Sequence, residues 1–280
     1  MHWLLQSDNV DFYCSPVSYM DVRPVGLDHS NMTAVDSIKL HGKLYFVEND
    51  TRTDLSRHPF DNHPYYQASV WLGPDREKSV EVIKQHFSRA LLHGHAMWWF
   101  DMWGGWYDAP EYKALFPGFE KIAEEAMERP RTSTAKVALF VDERAYAESE
   151  ASYFVSLIRR NLGLVGAAYD VYLVDDFAAV ADRYALCVFL VPHETERMTA
   201  AIHARPSGKL VITDENWEKE PSEWRELFRA AGVPLRTESD AIVYENESYL
   251  FIGCEGDVQP VYDGKLEQIW NGRSKLYRKV

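Results

Sequence analysis

The sequence predicts an α/β protein built on parallel sheets and closed by a short β-rich tail. Three observations predict it. Short apolar runs ending in acids are separated by a loop and a helix in the first hundred residues, the order of a parallel sheet. Between residues 137 and 231, strand-like and helix-like segments alternate with short connections, four βα units in all. From residue 241 onward, alternating apolar runs flank Asn246-Glu247-Ser248, as in a hairpin.

Composition sets the bounds. The chain has 280 residues, enough to bury a sizeable core, and the length suggests two domains. An apolar fraction of 46% excludes a largely disordered chain. A formal net charge of −13 argues against nucleic acid or an anionic membrane surface as partner. Cys14, Cys187 and Cys254 are far apart without a CxxC pair. Cys14 and Cys187 lie in apolar strand-like runs, so buried free thiols are expected. The N-terminal residues lack the basic and apolar regions of a signal peptide, and no apolar stretch is long enough to cross a membrane. A cytoplasmic location is the expectation.

In chain order, residues 10–14 form the first expected strand, closed by Ser15-Pro16. Residues 17–34 show no periodicity, and a loop of that length is usually functional or disordered. The strand of residues 44–47 then stops in Glu48, Asn49 and Asp50. Period two puts Leu44, Phe46 and Glu48 on one face and Tyr45, Val47 and Asn49 on the other. Read as a buried strand, it delivers a carboxylate that must be paired, hydrogen-bonded or used. A solvated loop acid is the plain alternative. Arg52, four residues on, is the expected partner that keeps Glu48 ionised.

Residues 79–93 are a helix with Val80, Ile83, Phe87, Ala90 and Leu91 inward, ending at His93-Gly94. The next strand, 95–101, runs into Asp101 and brings four tryptophans within nine residues, 98–106. Flat rings beside carboxylates suit a sugar, whose apolar face stacks on an aromatic ring while its hydroxyls meet acids. Trp99, Trp103 and Asp101 are therefore candidate sugar contacts. A core strand followed by an aromatic plug is the alternative. Residues 110–127 form a helix, and 128–134 is the expected domain boundary.

Beyond it, strands are expected at 137–141, 171–174, 186–191 and 209–213, with helices at 153–162, 195–204 and 222–231. This is the pattern of a flavodoxin-like open sheet. No GxGxxG or GxxxxGK[ST] follows the first strand, and Asp142 and Glu143 would repel a phosphate there. His58 with His63, and His93 with His95, lack neighbouring acids or cysteines at metal-ligand spacing, so no metal or cofactor is expected. Residues 274–280 supply one more strand.

The runs VDFYCSPVSY, DSIKLHGKLYFVENDTRT and GHAMWWFDMWGGWYDAPEY, followed by the four βα units, resemble the C-terminal part of a family-42-type glycoside hydrolase, the β-galactosidase-like group. The resemblance implies a (β/α)8 barrel followed by a flavodoxin-like trimerisation domain related to class I glutamine amidotransferases. It makes residues 10–14, 43–48 and 95–101 barrel strands six, seven and eight, a partial barrel of the last three strands. Residues 1–128 would be the barrel part, 136–235 the trimerisation-type domain and 236–280 a β-rich segment. It implies Glu48 as the nucleophile of a retaining enzyme acting on a β-galactoside-like carbohydrate, and a homo-oligomer, a trimer by the family pattern. The general acid, about 5 Å away in such enzymes, would follow an asparagine on strand four, outside this chain. Two function classes stand: a glycosidase or a piece of one, and a non-catalytic oligomerisation or sugar-binding module derived from one. An amidotransferase reading fails, since Cys187 sits inside a strand and not on a nucleophile turn.

Overall fold

The computed structural model describes residues 1–18, 23–56, 73–147, 160–190, 194–204, 210–213 and 219–280. His58, His63 and most of the helix expected at 153–162 lie outside the described residues; 160–163, the described end of that helix, is helical. The described residues form a mixed α/β fold with two parallel sheets and one antiparallel sheet.

The first sheet contains β1 (Phe12–Pro16), β2 (Leu44–Asn49) and β3 (Ala96–Trp99), parallel and in the order β1-β2-β3. β1 runs through Ser15-Pro16, which the sequence had suggested as its stop. Proline is tolerated there because β1 is an edge strand among the described residues. The helix Arg76–His93 starts earlier than its apolar periodicity, because Asp75 caps it by accepting from Lys78 N–H at 3.0 Å. It ends at Gly94, whose φ of 70° is the left-handed cap geometry. The expected helix of residues 110–127 divides into Pro110–Lys113 and Phe116–Met127. Pro117 has no N–H to continue the first segment and sits comfortably in the first turn of the second.

The second sheet is also parallel, in the order β5-β4-β6-β7, with β4 Val137–Val141, β5 Tyr169–Leu173, β6 Leu186–Phe189 and β7 Leu210–Thr213. β5 is its edge, and the helix Val35–Leu40 protects it. Val171 N–H donates to Asp36 Oδ2 and Leu173 N–H to Ser37 Oγ, both at 2.7 Å. These outward N–H groups would otherwise invite another strand.

The tail holds more than a hairpin. β8 (Ile242–Glu245), β9 (Tyr249–Gly253), β10 (Leu266–Trp270) and β11 (Ser274–Lys279) form an antiparallel sheet in the order β10-β11-β9-β8. β10, LEQIW, escapes sequence reading because it is half-exposed and partly polar. Packing crosses the expected boundaries. Tyr45 and Val47 from the first sheet share a core with Val137, Leu139 and Val171 from the second. The other face of β4, with Phe140, packs in a cluster with Leu250 and Ile252 from the tail. Tyr249, Phe251 and Leu276 meet Ile83, Phe87 and Phe119 from the long helices in a third cluster. No described helix is long and apolar enough to cross a membrane.

Candidate active site

Because β1, β2 and β3 are parallel, their C-terminal ends lie together, and Glu48 stands at the end of the middle strand. Pro16, Glu48 and Trp98 are register partners across the sheet. Register partners share a face, so Trp98 is the tryptophan beside Glu48. Trp99 points the other way: its ring lies 5.7 Å from Tyr107, 5.6 Å from Phe116 and 6.3 Å from Phe119. Trp99, the expected contact, thus lies on the face away from Glu48. Trp103 is 42% exposed.

The face that carries Glu48 is the open one, contrary to the buried strand expected. Tyr45, Val47 and Asn49 are buried, whereas Phe12, Leu44 and Trp98 are 56%, 61% and 38% exposed. Cys14 is exposed for the same reason, while Cys187 and Cys254 are buried; all three thiols are free. The packing has a simple cause: the helices of this segment cover one face of the sheet, and period two assigns residues to two faces without saying which is covered.

Burial pushes the Glu48 carboxyl above its ordinary range, and the charge of Asp50 pushes the same way; Arg23 pulls it back in part. The cation acting on Glu48 is thus Arg23, from the loop before residue 34, and not Arg52. Arg23 is 3% exposed and adopts a φ of 51°. Its guanidinium donates to Asp50 Oδ1 at 2.6 Å, Asp50 O at 3.0 Å, Val17 O at 2.9 Å and Ser18 O at 3.0 Å. One side chain thereby ties together the exits of β1 and β2.

Asp101 accepts from Trp106 N–H at 3.2 and 3.3 Å, closing the loop that turns at Gly104 and Gly105, with φ near 84° and 85°. Tyr107 O–H donates to Asn49 O at 3.1 Å and Thr51 O at 2.9 Å, fixing the chain just past Glu48. Thr51 starts a buried polar chain: Thr51 Oγ1 lies 2.5 Å from His86 Nδ1, His86 Nε2 lies 2.9 Å from His29 Nδ1, and His29 Nε2 lies 2.9 Å from Pro24 O. Both imidazoles are buried and held neutral. Burial drives His29 down to about 3 and lowers His86, with Arg23 adding to both and His29 to His86. A carbonyl only accepts, so His29 Nε2 carries its proton and Nδ1 accepts. His86 Nε2 then donates to it, leaving His86 Nδ1 to accept from the Thr51 hydroxyl. The chain has one direction and every member is satisfied. Sequence reading missed it, since residues 29, 51 and 86 share no spacing signal.

His93 does acquire acidic neighbours: Asp36, His93 and Asp170 each offer a ligand atom within 4.8 Å of the others. Lys39 and Arg89 act on His93, and Lys39 and Arg183 on both acids, so the charge there is offset by side chains.

The arrangement is a carboxylate at a parallel sheet's C-terminal end, flanked by an exposed indole and an open apolar face. Such a site can present a carboxyl group to a ring stacked on Trp98. No family model matches the chain, and no curated protein matches it. Among solved structures, it is similar to a cold-adapted β-galactosidase from Rahnella sp. R3, with a TM-score of 0.45 and 16% identity over 76% of this chain and 34% of that one. It is also similar to an exo-carrageenase, GH42, from Bacteroides ovatus, with a TM-score of 0.44 and 11% identity over 88% of this chain and 43% of that one. The chain spans less than half the length of either.

Proposed function

We propose that the chain carries the sugar-facing end of a retaining, β-galactosidase-like glycoside hydrolase, with Glu48 as the nucleophile. The observation that supports this most is the place of Glu48: the C-terminal end of the middle strand of the described sheet, in register with Trp98, on its more exposed face. Barrel enzymes gather their chemistry at that end of the strands. β1, β2 and β3 are the three last barrel strands in this reading, and residues 136–235 form the flavodoxin-like trimerisation-type unit. The order β5-β4-β6-β7 matches the first four strands of the 2-1-3-4-5 doubly wound pattern. Glu48 attacks the anomeric carbon of a β-galactoside, Trp98 and Trp103 stack on the sugar, and Asp101 shapes the loop beside them. The general acid comes from a strand outside β1–β3.

A second reading, a non-catalytic oligomerisation or sugar-binding module, is favoured by two observations. A nucleophile must be ionised, yet burial and Asp50 both push Glu48 towards its neutral form. The face around it is apolar and open, as a contact surface would be. The test is hydrolysis of a nitrophenyl β-galactoside and of lactose by the chain and by Glu48→Gln. Slow release of nitrophenol that vanishes in the variant, with lactose untouched, is expected, because general acid help is worth roughly 10²–10⁴-fold and an activated leaving group needs it least. Equal, negligible signal from both proteins favours the non-catalytic module.

A further inference from the structure

A broad cleft lies away from Glu48, where the helix Val35–Leu40, the segment after Met127 and the edge strand β5 meet. It measures about 660 Å³, within the size range of small-molecule sites. Four cations line it: Lys39, Arg129, Arg131 and Arg183. In a chain of net charge −13 that convergence is not the average surface. Arg129 pairs with Glu125 at 2.7 Å, and Lys39 Nζ donates to His93 O at 3.3 Å. Arg131 and Arg183 are exposed and make no ion pair with an acid among the described residues, Arg183 resting 5.7 Å from the Tyr184 ring.

The floor is polar and held in place. Ser133 Oγ donates to Asp170 Oδ1 at 2.7 Å, and Tyr184 O–H donates to Asp170 Oδ2 at 2.6 Å. Asp36 accepts from Val171 N–H at Oδ2. The wall bearing Arg131 is pinned to the antiparallel sheet, by Glu247 N–H donating to Thr132 O at 3.0 Å and by a bridge between Ser133 and Asn246. Ligand-facing cations on a fixed wall bind with little ordering cost.

We propose that this cleft binds a small polyhydroxylated molecule bearing a phosphate or sulfate ester. The ester meets Arg131, Arg183 and Lys39, since guanidinium forks match tetrahedral oxyanions through paired N–H groups. Hydroxyls of the ligand donate to Asp36 and Asp170, which accept as carboxylates. The site is separate from Glu48 and stands whether or not Glu48 is catalytic.

Isothermal titration of the full chain with glucose 6-phosphate, glucose 6-sulfate and glucose tests it. Binding of one or both esters at millimolar or lower concentration, weakened by salt and absent for glucose, is expected. The relative affinity of the two esters identifies the favoured anion. An Arg131→Gln, Arg183→Gln double variant should lose at least about tenfold in affinity while keeping the parent's thermal midpoint, because both side chains are exposed. No binding of either ester, equal binding of glucose, or unchanged affinity in the double variant would overturn the proposal.

Discussion

The buried pair His29 and His86 makes a quantitative prediction about acid. In the unfolded chain His29 titrates at its ordinary value of 6.5, and in the fold at about 3. A folded value below the unfolded one means the unfolded chain takes up the proton first. The stability is therefore fully present above the unfolded value and is lost as pH falls through it, levelling only below the folded value. Between pH 7 and about pH 4.5, linkage gives His29 alone a loss of about 2.5 kcal/mol. His29→Gln removes this titration while preserving the chain, since a glutamine donates to Pro24 O through its amide nitrogen and accepts from His86 through its oxygen. The variant should start lower by about 1 kcal/mol from imperfect packing, but its stability should fall less on acidification. Urea unfolding of both proteins at the two pH values measures the difference. A fall of the same size in both, or a His29 ring titrating near 6.5 by NMR, would refute the reasoning.

Arg23→Met and Asp50→Asn should each cost roughly 3–5 kcal/mol, because each leaves a buried partner of the 2.6 Å pair without compensation. The double variant should cost clearly less than their sum in a denaturation cycle. Asp50→Asn should also lower the Glu48 carboxyl's titration, seen by carbon NMR, since the Asp50 charge is among the causes that raise it. Trp99→Ala should destabilise by roughly 3 kcal/mol or more through lost aromatic packing, whereas Trp98→Ala should change stability by only about 0.5 kcal/mol and impair sugar binding instead.

Much of the scaffold was legible locally. The run at residues 44–47 is too short and too rich in strand formers to be a helix, and the strand runs two residues past it, through Glu48 to Asn49. Val137–Val141 and Leu186–Phe189 carry continuous apolar runs and are buried throughout, the mark of strands covered on both sides. Errors in the ends came from caps and prolines: Asp75 lengthened one helix and Pro117 divided another.

The site was less legible, for a physical reason. Local pattern placed Glu48 near the end of a strand and tryptophans on the next, because period two and strand propensity act between neighbours a few residues apart. It could not decide which face of that strand is covered, so Trp99 was expected as a contact and Cys14 inside. Nor could it choose Arg23 over Arg52 as the charge on Glu48, or join Thr51 to His86 and His29. Those choices are set by burial, by an ion pair and by hydrogen bonds between residues 27 to 57 positions apart. Only the tertiary structure decides them, since the energy of a buried charge or a neutral imidazole depends on what surrounds it in space and not on what precedes it in the chain.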